Sequence, residues 1–176
     1  MSLIQNNSST KMAKTETEVL VEMLEMSRDL TKFYLKKLEG QDVHKVFEVE
    51  GKKLNSILWL VAHITVSENW LLLVCTGGER VKIPWARQFG LGSEIPKKED
   101  CPPFEEVLEM FKKVHETAIS YVKTLSEEDL AKPTTNGINF GGEDSVRAII
   151  KHAIRHESTH TGHLGWLCKL FGVKTI

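Results

Sequence analysis

The most apolar stretch of the chain runs from Ile57 to Val74, and five polar residues interrupt it: His63, Thr65, Ser67, Glu68 and Asn69. A lipid span tolerates such groups poorly, because each must shed its water on entering hydrocarbon. The stretch therefore reads as a helix buried in protein, and it needs other helices to cover it. Asn55 and Ser56 can cap its start, and Gly77-Gly78 stops it after about Cys75. Residues 15–38 carry Leu20, Leu24, Leu30, Phe33, Tyr34 and Leu38 among good helix formers and end at Gly40, the pattern of an amphipathic helix. A third helix follows Pro103. Glu105 and Glu106 suit the positive end of its dipole, and Val107, Leu108, Phe111, Val114, Ile119 and Val122 form its apolar face. Ser126 caps a short turn over residues 127–130. The last helix starts near Asp144 or Ser145 and runs to Phe171, with Gly172 at the position after its cap. No stretch alternates convincingly as a strand. The expected fold is all-α, an up-down four-helix bundle with its site built from facing helices.

A chain of 176 residues is one domain by size. Residues 1–14 are polar, lack the apolar core of a secretion signal, and read as a flexible leader to a domain over residues 15–176. Residues 41–53 form a polar connection. The helix 2–3 connection, residues 79–103, is long and holds Pro84, Pro96, Pro102, Pro103, Gly90 and Gly92. Its Trp85, Phe89 and Leu91 argue that it packs; it either covers a site or is a packed surface loop.

Net charge is −1, with acids and bases mixed and no basic patch, so neither nucleic acid nor a membrane is an expected partner. Three cysteines without C-x-x-C spacing point to reduced thiols in a cytoplasm. Trp59, Trp70 and Trp166 read as core or dimer-interface residues, and a homodimer is expected.

Four of the seven histidines fall close together on the last helix: His152, His156, His160 and His163. At 3.6 residues per turn they lie at about 0°, 40°, 80° and 20°, on one stripe about 80° wide. Neutral imidazole is a common ligand of divalent transition metals. His156-Glu-Ser-Thr-His160 matches H-E-x-x-H, in which two histidines hold zinc and the glutamate is a general base. The match then fails. No Asp or Glu follows Glu157, and the longer version of the motif needs Gly at His163 and His at Trp166. A third ligand must come from upstream, and His63 on the second helix is the candidate. Three protein nitrogens leave coordination positions open, the pattern of a catalytic site. Glu157 is either a base or a flank ion pair with Lys151 or Arg155. Glu68 is a rival carboxylate for orienting a ligand. His163 lines the site or replaces a ligand, His152 is core or supporting, and His44 and His115 read as surface.

His63 on the second helix, followed by His156-Glu-Ser-Thr-His160-Thr-Gly162 on the last, resembles the DinB/YfiT-like superfamily of metalloenzymes. The resemblance covers roughly residues 15–172 and implies a four-helix bundle whose metal ligands are His63, His156 and His160. It implies a divalent ion, zinc or nickel, and a small-molecule substrate such as a low-molecular-weight thiol. The chemistry implied is thiol S-transfer or hydrolysis; the alternative is a bundle that binds or senses metal without catalysis. Members often dimerise, and DNA-damage induction in the superfamily's name finds no support in the charge balance.

Overall fold

The computed structural model describes residues 13–175. Most of the expected leader, residues 1–12, lies outside them. Five helices follow in order: α1 Glu16–Lys37, α2 Ile57–Glu68, α3 Phe104–Val122, α4 Glu127–Ala131 and α5 Val146–Leu170. Four are long and form the bundle. α1 packs chiefly on α5, and α2 packs on both α3 and α5. The expected all-α four-helix bundle is the observed fold.

Local chemistry sets the helix starts. Thr15 and Glu18 form a capping box at α1, each side chain taking the other's backbone N–H. Ser56 and Ser145 accept from Trp59 N and Ala148 N and cap α2 and α5. α5 ends at Phe171, and Gly172 follows with φ 73°, a left-handed conformation that costs glycine little.

α2 is the core helix. Residues 57–65 are all buried, and the apolar stretch Ile57–Val74 is 78% buried inside the bundle. Beyond Glu68 the helix widens into a π-helical segment, Asn69–Val74, in which Cys75 N bonds Trp70 O five residues back. Asn69 then clamps the start of the next connection: its amide donates to Val81 O at 2.9 Å and accepts from Val81 N at 3.0 Å.

Several expectations need correction. The 41–53 connection contains a small antiparallel hairpin, Glu48–Val49 (β1) with Lys52–Lys53 (β2), turned at Glu50 (φ 49°) and Gly51 (φ 74°). Strands of two exposed residues carry no alternation to read. In the 79–103 connection Trp85 and Phe89 are buried, but Leu91 is 94% exposed. Leu30 and Phe33 point away from the core, and so does Trp166; Trp59 is buried.

Candidate metal centre

His63 sits in the middle of α2 between the buried apolar residues Ala62 and Ile64, and is 4% exposed. His156 and His160, one turn apart on α5, face it and are half-buried. The three imidazoles converge: one ligand atom from each lies within 4.8 Å of the others. His63 Nε2 and His156 Nε2 are 3.2 Å apart. Two nitrogens on a tetrahedral zinc, each at about 2.05 Å, are separated by about 3.3 Å. The pair is thus spaced as ligands of one ion are, and the donor set fits zinc or nickel.

Two features fix the His63 ring. Trp59, one turn earlier, stacks on it at 4.6 Å between centroids and 14° between planes. Its Nδ1 lies 2.7 Å from the Phe89 carbonyl oxygen. A carbonyl only accepts, so Nδ1 carries the proton and Nε2 presents its lone pair to the site. The 79–103 connection therefore reaches the centre through its backbone, with Phe89 anchored in the core and packed edge-on against Trp85 at 5.6 Å. Trp85 in turn donates from Nε1 to Glu106 of α3 at 3.0 Å.

The electrostatics favour neutral ligands. Burial holds His63 below its usual value, opposed by the bond to Phe89. Burial, with His63 and His152 nearby, pushes His156 down to about 4. Burial, with His156, His63 and His163 nearby, pushes His160 down to about 3. Unfolded imidazoles protonate near about 6.5. Below that pH the unfolded chain binds more protons than the folded one, so stability falls as pH falls. For the metal-free protein these groups should remove stability progressively from about 6.5 down through the folded values of about 4 and about 3. Denaturant unfolding across pH 7.5 to 5 measures the slope, and His156→Gln with His160→Gln should flatten it; an unchanged slope would show that other groups carry the dependence.

The other two histidines of the stripe diverge. His152 stacks on Phe140 at 3.9 Å and accepts at Nδ1 from Arg155 Nη2 at 2.8 Å. His163 is exposed, with Nδ1 3.3 Å from His160 Nδ1.

The acidic residues behave differently from expectation. Glu157 is not on the flank with Lys151 or Arg155; it points inward and is 4% exposed. Its oxygens bond Thr31 Oγ1 at 2.9 Å and Arg28 Nη2 at 3.1 Å. Arg28 Nε is also 2.8 Å from Glu157 Oε1 but out of line for a hydrogen bond, so that contact is charge pairing. Glu68 does not orient His63 either. It accepts from Arg28 Nη2 at 2.6 Å and lies 2.6 Å from His115 Nδ1. His115 is accordingly a half-buried partner of Glu68, and His44 is half-buried as well; neither is the surface residue expected. Burial pushes the Glu157 carboxyl up, and the Arg28 guanidinium opposes it. Arg28 itself is fully buried, lies 3.7 Å over the Phe111 ring and donates from Nη1 to Phe111 O at 3.1 Å. This network joins α1, α2, α3 and α5 directly behind the histidines. Its signal in the sequence was an arginine at position 28, in register with Leu20, Leu24 and Thr31 on the buried face of α1.

A cavity of about 720 Å³ lies between α1 and α3, with Arg28, Leu38, Phe111 and His115 on its wall, and none of the three converging histidines borders it. A cavity of about 10 Å³ borders His156, Glu157 and Glu68, room for about one water.

A sequence model described as DinB superfamily matches residues 23–164. No curated protein sequence matches the chain. Solved structures share its fold, two of them as follows. One is a conserved protein from Enterococcus faecalis, 15% identical, with a TM-score of 0.62 over 88% of this chain and 95% of that one. The other is the colibactin self-resistance protein ClbS in complex with a dsDNA, 15% identical, with a TM-score of 0.60 over 90% of this chain and 98% of that one. The second overturns the expectation that nucleic acid is excluded as a partner: a protein of this fold is seen on dsDNA. Net charge sums the whole surface, whereas contact with phosphates depends on where a few cations stand.

Proposed function

The chain belongs to the DinB superfamily, and on that premise we propose that it is a divalent-metal-dependent protein acting on a small molecule through His63, His156 and His160. The observation that carries the reading is the convergence of three neutral imidazoles from two helices within 4.8 Å. A zinc or nickel ion held there would supply a Lewis acid able to lower the pKa of a water or thiol that it binds. The chain's own part is to hold the ring nitrogens. Phe89 O fixes the His63 proton on Nδ1, and Trp59 fixes the plane of the ring. Burial keeps His156 and His160 free of protons at neutral pH. The reaction proposed is thiol S-transfer or hydrolysis. The three unpaired cysteines, Cys75, Cys101 and Cys168, fit a cytoplasmic setting.

The alternative is a bundle that binds or senses metal without catalysis. It draws on the same convergence of imidazoles, a donor set that can hold an ion with or without turnover. Assaying metal-free, zinc-loaded and nickel-loaded protein against electrophile-plus-thiol pairs and against small esters and amides separates the two. Turnover that requires metal and disappears in His160→Ala supports the enzyme. Tight metal binding with no turnover across the panel supports the sensor.

A further inference from the structure

His115 stands one turn after Phe111 on α3, and both line the cavity between α1 and α3. His115 Nδ1 is 2.6 Å from Glu68 Oε1. A carboxylate oxygen accepts, so Nδ1 donates and the lone pair of the neutral ring lies on Nε2. Nε2 makes no hydrogen bond among the described residues. Arg28 Nη2 donates to the other Glu68 oxygen at 2.6 Å, which fixes the carboxylate and, through it, the ring. A carboxylate on one ring nitrogen also makes the other a better acceptor. The wall beside this nitrogen is apolar: Leu38, Ile57 and Phe111 are buried and Phe104 is half-buried. The volume, about 720 Å³, falls within the range of small-molecule pockets, about 300–1,000 Å³.

We propose that this cavity is a second binding site, which takes a neutral phenol with its hydroxyl donated to His115 Nε2. The exposed charges on its lining balance, Lys32, Lys36 and Lys112 against Glu39, Glu105 and Glu116. Deeper in, Arg28 is engaged by Glu68 and Glu157, and both Glu68 oxygens are taken. An ion would therefore give up its water against apolar walls and meet no free counter-charge. An aromatic body suits the walls, and the acidic hydroxyl of a phenol suits a strengthened acceptor. The site is independent of the metal reading, since His63, His156 and His160 do not border it, and it is tested on metal-free protein.

The test is calorimetric titration of the full chain with p-cresol and with p-methylanisole, which has the same body and no donor. The expected dissociation constant for p-cresol is below about 1 mM, and p-methylanisole should bind about 5–10-fold more weakly, the effect of one hydrogen bond. His115→Phe keeps a ring and removes its nitrogens, so the two ligands should bind it alike. In nitrogen NMR of the histidine rings, His115 Nε2 should shift with p-cresol while His63, His156 and His160 do not. If His115→Phe does not fold, the parent protein's preference and the His115 shift decide the matter. No binding of p-cresol at millimolar concentration overturns the proposal. So does equal binding of p-methylanisole by the parent protein, tighter binding of p-toluate or p-methylbenzylamine, or a shift at the other histidines without one at His115.

Discussion

Replacing Arg28 with Met is expected to lower the unfolding free energy by about 3–5 kcal/mol, the usual cost of removing one partner from a buried ion pair. The guanidinium is fully buried and faces two buried carboxylates, Glu68 at 2.6 Å and Glu157 at 2.8 Å. Met keeps most of the volume and the contact with the Phe111 ring, but it removes the cation that the two acids share. They would then stand together in a poorly solvated interior, with His115 and Thr31 as their remaining partners. Protonation relieves that cost. Burial already pushes the Glu157 carboxyl up and the guanidinium opposes it; without the cation that rise is unopposed, so the missing stability is largest at high pH and shrinks as pH falls through the raised Glu157 value. Denaturant unfolding of both proteins at pH 8 and pH 5.5 is the check. A loss below about 1 kcal/mol would place the network at a hydrated site, where ion pairs contribute that little. A gap independent of pH would mean that packing, not charge, is what Arg28 contributes.

Replacing His63 with Ala is expected to weaken zinc binding by more than about 100-fold, beyond the 10–100-fold typical of losing a group that merely orients a ligand. Two imidazoles would remain on α5, 4.5 Å between centroids. Nothing else on α2 replaces the lost nitrogen, since the nearest polar group, Ser67 Oγ, is 3.5 Å from His63 Nε2 and offers only a hydroxyl. His152→Ala is the contrasting variant. Its ring is stacked on Phe140 and bonded to Arg155, so affinity should stay within a few-fold of the parent. Competition titration with a zinc chelator measures both. A large loss for His152→Ala with none for His63→Ala would mean that the site lies along α5 alone.

The architecture was legible because its signals are local. Thr15, Ser56 and Ser145 are caps that a sequence shows directly, and Gly172 marks an end. The apolar run of α2 showed which helix the others enclose. The three histidines were legible for a related reason: two share a helical face, and the third is a polar residue in an otherwise buried run. What escaped was set by tertiary direction. Leu30 and Phe33 belong to a second apolar stripe on α1, and periodicity alone merges two stripes on one helix. Glu157 was placed on the flank because its basic sequence neighbours were visible, while its partner Arg28 is 129 residues away. Glu68 and His115 are separated by 47 residues and met for the same reason. The Phe89 carbonyl that fixes His63 is backbone, and no residue type announces it.

The most direct test of the metal centre is X-ray absorption at the zinc edge, on untagged protein loaded with one equivalent of zinc. The account predicts three imidazole nitrogens at about 2.0–2.1 Å and two in His63→Ala. Sulfur scattering at about 2.3 Å, an unchanged imidazole count in His63→Ala, or no zinc uptake by the parent protein would contradict it.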